Sequence, residues 1–379
     1  MPALILSYGF RPLFLCVVAV ALILIPWWIA IFFGAVPYLG PLPVISWHGH
    51  EMIFGFAGAA IGGFLLTAVA NWTGRPPISG LPLAFIVTSW LLTRVAFAVD
   101  LGLTPGWLAL MDCAYWFILT TLVGREILLA RNYRNLKVVL ILGCFLALTL
   151  AFHLGGPAVD WQRALLRCAL ILTSLLITLI GGRIIPAFTT NWLRANRPMT
   201  TLPGNIRALE AATFTFTLML VGCWTIMPED TLTGAVAVVA GLLQLARLCF
   251  WQGHRTLAEP LLFALHAGYA WLGIGFLLIG LTALGAVPLT SAGVHALGAG
   301  AMAAMIMAVA SRAAMGHTGR RLAAGPLLAT SFLLVHAAAL LRVGASFNPQ
   351  FLIWSALAWS LAFVSFAIPM LPILVRPAR

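Results

Sequence analysis

The sequence predicts an all-α integral membrane protein of about twelve transmembrane helices, organised as one polytopic domain over residues 1–379. Three observations carry that expectation. Of the 379 residues, 62% are hydrophobic and 8% charged, and mean hydropathy is +1.05; a soluble domain is about 45–50% apolar and about 25% charged. Apolar runs long enough to span a bilayer recur between Gly, Pro and charged punctuation. Basic residues, finally, follow an alternating pattern along the chain. The spans fall at roughly 12–35, 48–70, 80–98, 106–124, 136–153, 161–181, 206–226, 231–250, 260–281, 291–312, 324–343 and 350–373. The first run continues as a full-length span, so no cleavable signal peptide is expected.

Orientation comes from the loops. All but four of the 21 basic residues fall on one side of the expected spans, Arg197 and Arg379 among them; the four are Arg94, Arg163, Arg167 and Arg342. Asp100, Asp160, Glu229 and Asp230 fall on the other side. The positive-inside rule then places both termini in the cytoplasm. The net charge of +12 follows this topology rather than forming one soluble basic face, so no nucleic-acid partner is expected and the partner surface is the lipid bilayer. The six cysteines lie in or beside apolar segments without metal-type spacing and read as core thiols.

Residues 47–54 read W-H-G-H-E-M-I-F, which places two histidines and a glutamate where the chain enters hydrocarbon. Ionisable groups are costly there and mark functional sites. Positions i and i+2 on a helix differ by about 200°, so His48 and His50 face opposite sides and can serve two sites rather than one ion. Glu51 can hydrogen-bond a histidine or relay protons.

A repeat supplies a partner. His50 is followed 23 residues later by Thr73-Gly74-Arg75, and His295 by Thr318-Gly319-Arg320 at the same spacing. The sixth span also ends in Gly182-Arg183. These positions are four spans apart, which predicts three four-helix repeats. Imidazoles at one depth suit axial ligation of haem iron between helices. The competing reading is interfacial histidines hydrogen-bonded to backbone or headgroups.

Arg94, Arg163, Arg167 and Arg342 are candidates to pair with haem propionates, since guanidinium forks match carboxylates; snorkelling to headgroups is the plainer reading. His153, at the outer end of the fifth span, and His336, inside the eleventh, are further candidate ligands that read singly as structural. Asp112, in the fourth span, has no partner visible in sequence. Toward the inner side, His266 lies about two turns into the ninth span and His317 in the loop G-H-T-G-R; both are candidate metal ligands, with a structural Glu–Arg network as the alternative reading of that face.

The segments S-W-H-G-H-E-M-I-F-G-F (46–56), N-W-T-G-R-P-P (71–77), G-G-R-I-I-P-A-F-T (181–189) and G-H-T-G-R (316–320) resemble the NnrS family, and the resemblance covers essentially the whole chain. It implies a haem b- and copper-containing protein of a bacterial inner (cytoplasmic) membrane, associated with denitrification and nitrosative stress, with nitric oxide as its small-molecule partner. More distantly, His48, Met52, Ile53 and Phe54 resemble the second helix of haem-copper oxidase catalytic subunits, which have twelve helices in three four-helix arcs. In those enzymes the corresponding histidine holds a haem. The departure is in helices 6 and 7, which contain no histidine here, so the three-histidine copper site of that superfamily cannot be built.

The function expected is a haem/copper protein that binds nitric oxide and reduces it to nitrous oxide with electrons from quinol or another donor. His48, His50, His295, His266, His317 and His336 are its candidate metal ligands and Glu51 the candidate catalytic group. The alternative is a transporter or metal/haem-handling protein using the same histidines.

Overall fold

The computed structural model describes residues 2–156, 158–196, 202–289 and 291–378. Arg197 and Arg379, which belong to the charge pattern above, lie outside the described residues. Among the described residues, twelve helices are long and apolar enough to cross a membrane. They are α1 (Phe10–Phe32), α2 (Val44–Thr73), α3 (Leu81–Ala98), α4 (Pro105–Leu129), α5 (Tyr133–Leu154), α6 (Val159–Asn196), α7 (Arg207–Ile226), α8 (Thr231–Phe250), α9 (Pro260–Ala283), α10 (Ala292–His317), α11 (Pro326–Gly344) and α12 (Phe351–Val375). The protein is therefore all-α and multi-pass, as its hydropathy requires: in hydrocarbon only a helix or a closed barrel satisfies its own backbone.

Helix ends follow the local chemistry. Proline opens α4, α9 and α11, where its missing N–H costs nothing. Asp230 caps α8, its carboxylate accepting from the Leu232 N–H at 2.7 Å. The sixth span differs from expectation. It does not stop at Gly182-Arg183 but runs through Pro186 to Asn196. Ile185, Thr189 and Leu193, four residues apart, are all fully buried, so one packed face carries the helix past the hydrogen bond that Pro186 cannot make. Gly182 stays inside the helix, where a side chain would collide with the Arg247 guanidinium. His317 likewise closes α10 rather than sitting in a loop.

Helices α2 and α10 match feature for feature. In each, a seven-residue π-helical stretch begins directly after a histidine: Glu51–Ala57 after His50 and Ala296–Met302 after His295. In each, a threonine at or just past the helix end donates its hydroxyl to the carbonyl four residues back, Thr73 to Val69 and Thr318 to Ala314. Gly74 and Gly319 follow, both at φ +67°, a left-handed conformation that a Cβ disfavours. The spacing repeat thus extends to backbone geometry in these two helices; α6 shares none of it.

The chain packs as two compact units. The first comprises Met1–Ala169, Ala313–Arg320 and Ala367–Arg379; the second comprises Leu170–Arg312 and Arg321–Phe366. In the first, α1, α3, α4 and α5 pack around the buried α2, whose Phe54, Phe56, Leu65 and Leu66 are all but inaccessible. In the second, α8 and α9 approach through glycines. A Cβ on Gly241 would lie 2.8 Å from the Gly273 carbonyl, and one on Gly273 3.0 Å from the Gly241 carbonyl. Small residues let helix backbones meet where lipid offers no competing hydrophobic drive. The same unit buries Arg247, which donates to Glu210 at 2.9 and 2.6 Å and to the Tyr269 hydroxyl at 2.5 Å. Tyr269 in turn donates to Gln244, and the Gln244 amide donates to Thr178 and Thr217. That network is satisfied throughout, which suits a structural role.

Replacing Gly241 with alanine should cost about 1–3 kcal/mol, because backbone rather than a flexible side-chain end lies in the way. Gly222, in α7, has nothing within 4 Å of its would-be Cβ, so Gly222→Ala is the control. The thermal midpoint of the detergent-solubilised protein should fall for Gly241→Ala and hold for Gly222→Ala.

Candidate metal centre

The site begins with the wide turn of α2. Because i→i+5 geometry displaces carbonyls from the regular ladder, they become open to outside donors. Trp90 of α3 donates to the Gly55 carbonyl at 3.1 Å, and Tyr115 of α4 donates to the Gly58 carbonyl at 2.7 Å. The turn is therefore pinned from two neighbouring helices. Just ahead of it, His48 and His50 leave the helix on different sides, as their spacing predicts. His48 lies flat on Trp28 of α1, ring centroids 4.2 Å apart and planes within 15°. His50 is fully buried against α4 and α5.

Asp112 of α4 is the hub. One carboxylate oxygen, Oδ2, accepts from His50 Nε2 at 2.8 Å and from His153 Nε2 at 3.0 Å. An ionised carboxylate has no proton to give, so both imidazoles donate. Glu51 Oε1 lies 3.4 Å from His50 Nδ1. Arg94 of α3 reaches both acids, Nε at 3.4 Å from Glu51 and Nη2 at 3.5 Å from Asp112. The rings of Phe54, Phe97 and Phe152 surround His50 at centroid distances of 4.8, 4.9 and 5.0 Å. Asp112 and Glu51 are 2% exposed, so this is a charged cluster sealed in apolar side chains.

Its charges do not cancel by themselves. Two carboxylates face one guanidinium, leaving one negative charge while the histidines are neutral. Such a charge is expensive away from water and invites a proton or a metal cation. The donor set fits a metal: one ligand atom each from His50, Asp112 and His153 lies within 4.8 Å of the others. Among the described residues this is the one group of three His, Cys, Asp or Glu side chains so placed. Two imidazoles and a carboxylate suit a first-row ion such as copper, zinc or iron. An ion held there would take the place of the two Nε2 protons.

The other sequence candidates each have their own surroundings. His295 lies in the second unit. Its Nδ1 is 2.8 Å from the Ser291 carbonyl, which can only accept, so the proton sits on Nδ1 and Nε2 carries the lone pair. That tautomer is the one an axial haem ligand needs. His336 Nδ1 accepts from Trp271 Nε1 at 3.0 Å, which uses its lone pair and leaves a proton on Nε2. His317 packs its ring against Tyr8 and Phe10. His266 is held by Thr189 at 2.9 Å. Arg94 is committed to the two acids, and Arg163 pairs with Asp160 at 3.0 Å on an exposed turn. Arg167 and Arg342 are half-buried in α6 and α11.

Asp112, which shows no partner in sequence, and His153, which read singly as structural, are two of the three triad residues. A single signal pointed to them: each is an ionisable group in the outer part of an apolar span. Asp112→Asn keeps the shape but removes the charge, and it should weaken metal binding about 10–100-fold or more. Chelator competition on the purified protein measures this. Asp160→Asn, whose carboxylate is exposed, should leave affinity unchanged.

A family model described as NnrS protein matches residues 4–378, so the chain belongs to the NnrS family. No curated protein matches it.

Proposed function

We propose that this NnrS-family membrane protein is a haem- and copper-dependent protein of nitric oxide metabolism, which binds nitric oxide and reduces it to nitrous oxide in a bacterial cytoplasmic membrane. The observation that carries the reading is the buried two-histidine, one-carboxylate triad, a donor set fit for copper. The resemblance of the chain's motifs to a haem- and copper-containing family supports it.

His50, His153 and Asp112 are the proposed copper ligands. His295 is a proposed haem-holding residue, supported by the tautomer that Ser291 sets. His48 is another, supported by its oxidase-like register. Copper and haem, when bound, supply the electron transfer: two nitric oxide molecules, two electrons from quinol or a similar donor and two protons give nitrous oxide and water. The chain's own residues prepare that chemistry. Asp112 holds both imidazoles aimed at one point through their Nε2 atoms, so the three donors are already gathered before an ion binds. Arg94 offsets the charge of Glu51 and Asp112. Phe54, Phe97 and Phe152 exclude bulk water and sharpen the electrostatics inside. Glu51, beside His50 Nδ1, is the group assigned to proton delivery.

A transporter or metal/haem-handling protein would hold its metal loosely. Full burial of His50 and near-complete burial of Asp112 favour a resident ion instead. The experiment combines a pyridine haemochrome spectrum, metal analysis after dialysis against chelator, and nitric oxide uptake with a quinol donor. The expected result is retained haem b and copper, with nitric oxide consumed and nitrous oxide formed. A folded preparation lacking both cofactors contradicts the proposal; labile metal without nitric oxide uptake favours the transport reading.

A further inference from the structure

In the first unit, the ends of α1, α10 and α12 converge on the side that the charge pattern assigns to the cytoplasm. Arg11 is the second residue of α1, Arg320 follows the last residue of α10 by three, and Arg376 directly follows α12. Arg11 is 4% exposed. Its Nη1 donates to the Leu374 carbonyl at 2.7 Å and to the Arg376 carbonyl at 2.9 Å. Arg320 reaches the same stretch, its Nη2 donating to the Pro377 carbonyl at 3.2 Å. Its Nη1 is buried and has no hydrogen-bond partner. The Arg11 guanidinium lies 5.4 Å from the centre of the Phe10 ring, which itself stacks with His317 at 5.9 Å, so its position is braced.

Neither guanidinium meets a carboxylate. Among the described residues no ion pair includes Arg11 or Arg320, and the charge that acts on Arg11 through space is Arg320. Backbone carbonyls satisfy N–H groups but leave the charge uncancelled, and a charge withdrawn from water is costly unless paired. The repeat between α2 and α10 supplies the comparison. Arg75 occupies the position that matches Arg320, and it donates to the Glu126 carboxylate. The other side-chain carboxylates of the first unit are Glu51, Asp100, Asp112 and Asp160, all toward the opposite ends of their spans. Arg320 thus has the place of Arg75 without its acid.

We propose that Arg11 and Arg320 form a site for the phosphate group of an anionic phospholipid, with the exposed Arg376 at its rim. Guanidinium forks match phosphate oxygens in geometry and charge, and one such oxygen supplies the acceptor that Arg320 Nη1 lacks. Depth selects a lipid over a soluble anion. All three arginines sit at span ends, the level of the headgroups, and basic pockets between spans on the cytoplasmic side are where anionic headgroups bind. The positive-inside rule asks for basic loops; it does not ask for a buried guanidinium beside a second one with no acid between them. The site is independent of the triad and of the nitric oxide reading.

The test uses the full-length protein, delipidated in a neutral detergent and then given phosphatidylglycerol or phosphatidylcholine. Native mass spectrometry reads retained lipid, and the thermal midpoint is followed in parallel. Wild type should retain phosphatidylglycerol in preference to phosphatidylcholine and gain thermal stability from it. Arg320→Gln should weaken that retention about fivefold or more, and Arg320→Lys, which keeps the charge but not the fork, should recover part of it. Arg376→Gln, at an exposed position that needs no repacking, should weaken it in the same sense. Arg134→Gln removes the same charge from another exposed position and should change nothing. Retention equal to wild type in both Arg320→Gln and Arg376→Gln overturns the site. Equal loss in Arg134→Gln overturns it too, because general surface charge then accounts for binding. Inorganic phosphate that reproduces the stabilisation and displaces the lipid at millimolar concentration overturns the choice of a lipid.

Discussion

One carboxylate shared between two imidazoles, Asp112 with His50 and His153, is the constraint around which the first unit is organised. It joins α2, α4 and α5 at a point where none of them offers water. Every other feature of the site answers to its cost. Arg94 lies within 3.5 Å of Asp112 and 3.4 Å of Glu51, and three phenylalanines close the surroundings. The π-helical turn belongs to the same logic. It follows His50 directly, and Trp90 and Tyr115 pin its carbonyls from two neighbouring helices.

A buried charge cluster of this kind is poor value as a stabilising device. Apolar residues of similar volume commonly do as well or better, whereas removing one member of such a cluster is costly. Its presence inside a membrane span therefore points to a task. The contrast with the second unit is instructive. There the Arg247, Glu210, Gln244 and Tyr269 network closes on itself, with each polar group matched. Asp112's bonds to the imidazoles are short, its contact with Arg94 and the contacts of Glu51 with Arg94 and His50 are long, and the charge is incomplete.

Much of this was legible in the sequence, and for physical reasons. Hydrocarbon demands unbroken apolar helices, so the twelve spans could be read directly, with most ends within a few residues. The 200° offset between His48 and His50 follows from helix geometry alone and is what the Trp28 stack and the Asp112 bond display. The His50/His295 spacing carried over into matched π-helical turns. Other features were hidden because they depend on contacts between helices. Nothing along α4 or α5 says that Asp112 and His153 meet, and a lone carboxylate in a span looks the same with a partner as without. Gly182-Arg183 read as a helix end because glycine and arginine usually punctuate; the buried face of Ile185, Thr189 and Leu193 overrode it. His336 read singly as structural and His266 as a candidate ligand, and the contacts that separate them lie between helices: Trp271 occupies the lone pair of one, whereas Thr189 leaves that of the other on Nδ1.

The central claim is that His50, Asp112 and His153 bind one metal ion. Pulsed electron paramagnetic resonance on copper(II)-loaded protein tests it most directly, with ¹⁵N-labelled histidine to identify the nitrogens. Two inequivalent imidazole couplings should be seen, one disappearing in His153→Ala while the other persists. Couplings unchanged in both His50→Ala and His153→Ala would place the copper elsewhere and contradict the account.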